Sequence, residues 1–265
     1  MKKLIVSGCS WGDPDFISRP HPGMDCSWPK WPVILAEMLN MEPINLCKSG
    51  MGQEYIYSSL SDEIQERHAD TIGHVIAAWS TAPRRDWEKT ENWLDPQSKD
   101  QTFFRRWHND RTDAKGDVRY WTCKSIRYQY AFQNLMEQSN IPYNHVQMIS
   151  LIKGHIWEIM NGIDYSALSE TDMYLRSNKL AEFDNLRNQN INLLRDSLMS
   201  GFLNTIKKSK YKFNDKFLGW PTDEKLGGFS IEYLLEEKHK ISKLDRHPNK
   251  IGQERIAELI YDRME

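Results

Sequence analysis

The chain has 265 residues and a formal net charge of −2 at pH 7, with 39% hydrophobic and 27% charged residues. This length suits one large domain or one domain with insertions, and the near-zero charge argues against bulk binding to nucleic acid or to an acidic membrane surface. The four cysteines include no C-x-x-C pair, which indicates neither a zinc site nor a redox dithiol, and the N-terminal Met-Lys-Lys precedes too few apolar residues for a signal peptide or a membrane span.

The first predicted element is a buried strand near the N-terminus. Leu4, Ile5 and Val6 form a short apolar run, which is typical of a strand buried on both faces of a parallel sheet. Gly8 ends this run, and Ser10 follows in a loop rich in glycine, aspartate and proline. We therefore expect Ser10 at the carboxyl end of the first strand, where open α/β sheets bind their ligands.

Strands and helices then alternate along the first part of the chain. Five prolines among residues 13–32 predict an irregular loop there. The apolar spacing beyond this loop predicts helices over residues 31–39, 53–69 and 123–139, and strands over residues 43–47, 72–79 and 141–148. This alternation predicts right-handed crossovers and an α/β fold, with three α/β/α layers around a flavodoxin-like parallel sheet of about five strands.

The remaining segments carry weaker patterns. Residues 1–265 are expected to form a single domain with loop and helical insertions at about residues 80–120 and 150–215. A long amphipathic helix is predicted between residues 180 and 206, inside the second insertion. A fifth strand or edge piece is predicted at residues 216–220. The last helix is predicted from about residue 250. Its core-facing side chains are expected to be Ile251, Ile256, Leu259 and Ile260.

Ser10 is the first candidate for chemistry. Residues 8–12 match the G-x-S-x-G pattern of the α/β-hydrolase nucleophile elbow, but that elbow follows several strands in mid-chain. Because Gly8 stands so close to the N-terminus, we exclude that fold. The alternative interpretation of Ser10 is a turn residue or a helix cap, which is the usual role of a serine after a strand.

Asp245 and His247 offer Ser10 a base. A neutral serine hydroxyl is a poor nucleophile, and an imidazole is suited to take its proton near pH 7. In extended backbone, Asp245 projects to the same side as His247 and can accept its Nδ1 proton, which is the orienting role in a Ser-His-Asp triad. The alternative is a solvated turn before the last helix, with Asn249 as the helix cap.

Donors for an oxyanion hole are predicted at the ends of the second and third strands. Gly50 follows the second strand and lets backbone N–H groups approach a tetrahedral intermediate, although an ordinary turn glycine is the alternative. Ser80 and Thr81 follow the third strand, which neighbours the first in the order 2-1-3-4-5. Their hydroxyls therefore border the same crevice as Ser10.

Together these segments resemble the SGNH/GDSL hydrolase family. Residues 8–12 resemble its first block, residues 45–50 its second and residues 245–249 its last, whereas residues 84–240 carry no motif of the family. The roles that this resemblance implies are nucleophile for Ser10, oxyanion donor for Gly50, base for His247 and acid partner for Asp245.

Two departures from the family pattern bear on activity. The third block of the family commonly has an asparagine that donates to the oxyanion, and here either Ser80 or Thr81 substitutes for it or the hole has one donor fewer. The loss of one such donor costs on the order of 3 kcal/mol of transition-state stabilisation. The acid stands two residues before His247 rather than the more usual three. This spacing is similar to that of SGNH-like acetyl-transferring proteins and leaves transfer to an acceptor other than water open.

The expected function is that of a serine hydrolase that cleaves a small ester through an acyl-enzyme, without a metal or cofactor. Tryptophans in predicted loops favour an O-acetyl ester of a carbohydrate, with Trp11, Trp79 and Arg84 as candidate substrate-binding residues. The alternatives are a non-catalytic glycan-binding or assembly module on the same fold, an acetyltransferase, and a cofactor-binding flavodoxin-like protein, for which the first loop lacks the glycine-rich pattern. We expect a cytoplasmic protein with no nucleic-acid or membrane partner.

Overall fold

A parallel sheet lies at the centre of the structure, which is a computed structural model. The residues that it describes are 1–82, 84–90, 105–110, 118–151, 211–219 and 230–264. The long amphipathic helix predicted between residues 180 and 206 lies outside these residues, as does most of the second predicted insertion.

The strands of the central sheet follow the predicted order. The described strands are β1 (Lys3–Ser7), β2 (Glu42–Asn45), β3 (Ile72–Trp79), β4 (Arg85–Thr90), β5 (Arg105–Asp110), β6 (Tyr143–Gln147) and β7 (Phe217–Leu218). Five of them form the sheet β2-β1-β3-β6-β7, in which every neighbouring pair is parallel. This is the flavodoxin-like order 2-1-3-4-5, so the predicted sheet is confirmed. The carboxyl end of β1 consequently lies between those of β2 and β3.

Helices cover both faces of this sheet. The described α-helices are α1 (Trp31–Met38), α2 (Gln53–Gln65), α3 (Val118–Ser139), α4 (Ile231–Leu234) and α5 (Lys250–Tyr261). The second predicted helix ends earlier than expected, at Gln65, and a short 3-10 turn over Ala69–Thr71 leads into β3. None of the helices in the described part of the chain is long and apolar enough to cross a lipid bilayer.

The alternation of side chains along β1 explains the three layers. Leu4 and Val6 are fully buried on one face, together with residues of α1 and α5. Ile5 points to the opposite face, where it packs in a cluster with Ile56 of α2 and Phe132 of α3. Because successive strand residues face opposite sides, one apolar run supplies both cores. The predicted α/β/α arrangement is confirmed.

One predicted core residue of α5 is in fact on the surface. Ile256, Leu259 and Ile260 are buried as expected, but Ile251 is 56% exposed. Each helical residue advances about 100° around the axis, which puts Ile251 on the side opposite the buried stripe. The prediction for Ile251 was wrong because it relied on the apolar character of the residue and did not consider its angular position around the helix axis.

The first predicted insertion contains two strands that the sequence did not indicate. β4 and β5 pair antiparallel, with Asp86 opposite Asn109, and form a two-stranded sheet separate from the central one. Their residues are mostly charged or polar and carry no apolar alternation, which is the signal that identifies a half-buried strand.

The burial difference along α5 predicts a difference in stability. We expect Ile256→Ala to lower the free energy of unfolding by about 2–5 kcal/mol, because it leaves a cavity in the core. Ile251→Ala makes the same chemical change on the same helix and should alter this free energy by no more than about 0.5 kcal/mol. Urea unfolding followed by tryptophan fluorescence measures both. Equal losses for the two variants would contradict the described orientation of α5.

Candidate active site

Ser10 lies in a tight turn directly after β1. The turn is closed by a 3.1 Å hydrogen bond from the Gly12 N–H to the Cys9 carbonyl oxygen. Asn45, at the end of β2, donates from Nδ2 to the Gly12 carbonyl oxygen at 2.8 Å. Gln253 of α5 donates from Nε2 to the Trp11 carbonyl oxygen at 3.0 Å. The backbone on the carboxyl side of Ser10 is therefore fixed by a neighbouring strand and by the C-terminal helix.

Asp245 and His247 lie in a compact loop before α5. The Ile241 N–H donates to the His247 carbonyl oxygen at 2.9 Å, and the Ser242 N–H donates to the Asp245 carbonyl oxygen at 3.0 Å. Asn249 caps α5, since its Oδ1 accepts from the N–H of Gly252 at 2.9 Å. Asn249 is thus a helix cap, as the alternative interpretation had it, and the same cap supports the loop that carries Asp245 and His247.

A continuous chain of hydrogen bonds joins these three side chains. Ser10 Oγ lies 2.8 Å from His247 Nε2, although the two residues are 237 positions apart in the sequence. His247 Nδ1 lies 2.6 Å from Asp245 Oδ1. An ionised carboxylate can only accept, so Nδ1 carries the proton and Nε2 is left to accept from the serine hydroxyl. An imidazole in this tautomer can remove a proton from Ser10.

The surroundings of Asp245 favour its ionised form. The residue is 3% exposed, and this burial alone opposes ionisation. The hydrogen bonds from the His247 side chain, the Ser18 hydroxyl and the His247 N–H outweigh it and hold the pKa of this carboxyl below its usual value. Ser18 was missed by the sequence analysis because no spacing rule links it to a residue 227 positions away.

One side of the His247 ring faces an aromatic neighbour. The ring centroid of Phe16 lies 4.4 Å from that of His247, with a tilt of 38° between the planes. The His247 side chain keeps 32% of its surface exposed. Phe16 comes from the loop after Ser10, so this loop lies beside the imidazole and leaves part of it open to solvent.

Gly50 occupies a turn whose backbone favours glycine. Its φ of 83° is in the left-handed region, and the Met51 N–H donates to the Lys48 carbonyl oxygen at 3.3 Å. This is the pattern of a type II turn with glycine at the third position. Asp13 Oδ2 accepts from the N–H of Ser49 at 2.7 Å, which ties the turn to the loop that carries Ser10. No described residue accepts a hydrogen bond from the N–H groups of Ser10 or Gly50.

The two hydroxyls after β3 differ in their availability. The Thr81 hydroxyl donates to the Leu151 carbonyl oxygen at 3.1 Å. Ser80 is fully buried, and its Oγ has no hydrogen-bond partner among the described residues. The Ser80 carbonyl oxygen accepts from the side-chain amides of Gln53 and Gln147. The Thr81 hydroxyl is therefore committed, and the buried Ser80 hydroxyl has no surface that a substrate oxygen could reach.

The structure contradicts two of the predicted substrate contacts. Trp79 is fully buried, and its indole N–H donates to His145 Nδ1 at 2.9 Å. Trp11 is 5% exposed and belongs to the core between the sheet, α1 and α5. Side chains without accessible surface cannot stack on a substrate, so both have packing roles. Arg84 donates from Nη1 to the Met51 carbonyl oxygen at 3.0 Å and so contacts the Gly50 turn.

The described side chains do not form a metal centre. No group of three or more histidine, cysteine, aspartate or glutamate residues within the described ranges is arranged to hold an ion. All four cysteines are free thiols, and Cys9, Cys26 and Cys47 are buried.

The first, second and last segments that resemble the SGNH/GDSL family converge at the carboxyl ends of β1 and β2 in a sheet of the predicted flavodoxin-like order. No protein-family model matches the chain, and no curated protein is similar to it in sequence.

Several solved structures resemble the chain over nearly its full length. A lipolytic protein of the G-D-S-L family from Desulfitobacterium hafniense DCB-2 has 11% identity and a TM-score of 0.45, with 99% of each chain covered. The lipase Lip_vut3 from a goat rumen metagenome has 12% identity and a TM-score of 0.48, with 99% of this chain and 97% of that one covered. The acetyl xylan esterase AlAXEase has 12% identity and a TM-score of 0.38, with 98% of each chain covered. With TM-scores below 0.5 and identities of 11–12%, these are distant similarities.

The lowered pKa of Asp245 predicts how stability changes with pH. A carboxyl that holds its proton less tightly when folded stabilises the protein above its unfolded pKa of about 3.9, and this stabilisation is lost as the pH falls through the lower folded value. We therefore expect Asp245→Asn to lower the free energy of unfolding by about 1–3 kcal/mol at neutral pH. The difference from the unsubstituted protein should shrink below about pH 4.

Denaturant unfolding between about pH 3 and 7 measures this difference. Asp70→Asn, at an exposed aspartate, is the matched control and should show no such pH dependence. A constant difference for Asp245→Asn over the whole range would contradict the described ionisation.

Proposed function

We propose that the protein is a serine hydrolase that cleaves a small carboxylic ester through an acyl-enzyme, with Ser10 as the nucleophile. The observation that supports this proposal is the pair of hydrogen bonds, 2.8 Å from Ser10 Oγ to His247 Nε2 and 2.6 Å from His247 Nδ1 to Asp245 Oδ1. A serine in this arrangement has a base in the right tautomer and a carboxylate that stabilises the base once it is charged. A turn residue or a helix cap needs neither.

In the proposed reaction Ser10 Oγ attacks the carbonyl carbon of the ester while its proton passes to His247 Nε2. The Asp245 carboxylate stabilises the resulting imidazolium. The imidazolium gives its proton to the departing alcohol oxygen, which leaves an acyl group on Ser10. Water then attacks this acyl ester with His247 again as base, and the acid is released as the Ser10 hydroxyl is restored.

In this proposal, backbone N–H groups stabilise the developing oxyanion. The N–H groups of Ser10 and Gly50 are uncommitted within the described residues, which is the condition for binding a charge that appears only during the reaction. The Thr81 hydroxyl is engaged with Leu151 and the Ser80 hydroxyl is fully buried, so neither takes the place of the asparagine of the family's third block in this proposal.

For the substrate we propose an O-acetyl ester of a carbohydrate. Ser10 is only 7% exposed, which favours a small acyl group over a long chain. The half-buried Phe16 ring beside His247 gives the site an aromatic wall, on which a sugar ring can stack. This wall takes over the role that Trp11 and Trp79 had in the sequence-based hypothesis.

Replacement of Ser10 tests the nucleophile. The unsubstituted protein should hydrolyse p-nitrophenyl acetate at neutral pH, and Ser10→Ala should lower kcat by at least about a thousandfold. A fluorophosphonate ester should label the protein at Ser10 and fail to label the variant. Ser61→Ala, which removes another serine hydroxyl on α2, is the control and should leave both readouts unchanged.

The same assay separates the proposed hydrolase from its alternatives. No turnover and no labelling of the unsubstituted protein would contradict an enzyme and favour a glycan-binding module. Release of acetate from an acetylated xylo-oligosaccharide supports the proposed substrate class. Transfer of the acetyl group to an added sugar in place of water would instead identify an acetyltransferase.

The two hydroxyls after β3 give a second prediction. We expect Ser80→Ala and Thr81→Val each to lower kcat by less than about tenfold, because neither hydroxyl is placed to bind the oxyanion. Steady-state kinetics on p-nitrophenyl acetate measures both. A loss of about 10²- to 10³-fold in kcat with little change in KM for Ser80→Ala would identify its hydroxyl as an oxyanion donor and would overturn this assignment.

A further inference from the structure

The turn that carries Gly50 is held from two sides. On one side, Asp13 Oδ2 accepts from the N–H of Ser49 at 2.7 Å. On the other, the Arg84 guanidinium donates to the Met51 carbonyl oxygen at 3.0 Å, and Asp86 Oδ2 accepts from the N–H of Tyr55 at 2.5 Å. The second set of contacts comes from residues at the start of the first predicted insertion, where the sequence had suggested a substrate contact for Arg84 and no role for Asp86.

Asp86 acts as the N-terminal cap of α2. The first N–H groups of a helix have no partner inside the helix, and the N-cap residue usually supplies an oxygen. Here the N-cap is Gly52, which has no side chain, and the carboxylate of Asp86 bonds the third helical residue, Tyr55. A carboxylate at this end also interacts favourably with the helix dipole.

Gly52 makes this external cap sterically possible. A Cβ atom at Gly52 would lie 2.8 Å from the Cβ of Arg84 and would clash with Asp86 Oδ1. The absence of a side chain therefore lets residues 84–86 pass directly over the start of α2. Gly50 stands only two residues before this cap, so the position of its N–H depends on how α2 begins.

We propose that Asp86 is a positioning residue for the ester hydrolysis proposed above. Its carboxylate holds the first turn of α2 and, through it, keeps the Gly50 turn fixed relative to Ser10. Asp86 does not contact the reacting atoms, and its effect passes through the backbone of residues 50–55. The inference rests on the proposed function, because the Gly50 N–H matters to the reaction only as an oxyanion donor.

The charge of Asp86 adds a dependence on pH. Asp86 is 3% exposed, and burial together with the charge of Glu54 raises its pKa to about 6, against the opposing effects of the Tyr55 N–H and Lys124. Glu54 and Lys124 form a 2.7 Å ion pair beside it, while Tyr55, Tyr128 and Arg84 are the other described titratable or charged groups that face it. Protonation relieves the cost of the buried charge and so does not destabilise the fold, but it replaces the charged acceptor at the helix N-terminus with a neutral one. We therefore expect the position of the Gly50 N–H, and with it kcat, to change as the pH falls through about 6.

The first test compares Asp86→Asn with Asp70→Asn, an exposed aspartate outside the site. We expect Asp86→Asn to lower kcat on p-nitrophenyl acetate by about 10- to 100-fold above pH 7, with KM changed by less than about twofold. The fall in kcat at acid pH should include one ionisation in the unsubstituted protein, that of Asp86, which is absent in Asp86→Asn. Asp70→Asn should behave like the unsubstituted protein.

Two further variants move this ionisation without altering Asp86. Lys124→Met removes the cation that favours the charged carboxylate and should shift the ionisation of Asp86 to higher pH. Glu54→Gln removes the anion that opposes it and should shift the same ionisation to lower pH. If the two substitutions only disturbed the structure of α3 and α2, they would not shift the pH profile of kcat in opposite directions.

Hydrogen exchange tests the inference independently of turnover. The amides of residues 49–56 should exchange faster in Asp86→Asn than in Asp70→Asn, with the rest of the central sheet unchanged. Unchanged exchange in this segment would overturn the positioning role even if the protein proved inactive. An active protein in which Asp86→Asn keeps both its kcat and the pH profile of the unsubstituted protein would overturn it as well. Absence of turnover in the unsubstituted protein, by contrast, counts against the proposed function.

Discussion

The hydrogen bond between Ser10 and His247 joins residues that are 237 positions apart, and every other feature of the site depends on the fold that keeps them in contact. β1 lies inside the sheet, so the loop after it has a strand end on either side. Gln253 of α5 bonds the Trp11 carbonyl oxygen and, through Oε1, the N–H of Trp31 at 2.9 Å. The C-terminal helix is thereby fixed to the N-terminal loop by contacts that take no part in the proposed reaction.

The loops that carry the reacting groups are ordered by their own hydrogen bonds. Ser18 and the His247 N–H both donate to Asp245, and Asp13 joins the Ser10 loop to the Gly50 turn. The loss of conformational entropy that orders these loops is therefore offset by interactions formed during folding. No further ordering of the loops is then needed when a substrate binds, so this loss does not weaken substrate affinity. For a reaction in which charge develops on an oxygen, such preorganised donors are the largest source of rate enhancement.

Local patterns in the sequence predicted the central sheet and the Asp-x-His pair, because both follow from backbone periodicity. Residues 4–6 are apolar on both faces, and Asp245 and His247 project to one side at a spacing of two. Ser18, Asp13 and Asp86 were not predicted as part of the site, since their partners are chosen by tertiary contacts that no spacing encodes. The assignment of Trp79 to a substrate surface failed for a related reason: residue type alone does not distinguish a buried indole from an exposed one.

The third strand ends without the asparagine that the third block of the SGNH/GDSL family commonly has. In the proposed reaction, stabilisation of the oxyanion therefore depends more on the backbone N–H donors. The direction of a backbone N–H is set by its turn and by whatever holds that turn in place. At Gly50 the holding groups are two buried carboxylates, Asp13 from the loop after β1 and Asp86 from the start of β4. A substitution in either segment is therefore expected to alter the position of the Gly50 N–H. For the proposed reaction, residues 84–86 at the start of the insertion after β3 therefore act on an oxyanion donor through the backbone, without contact with the reacting atoms.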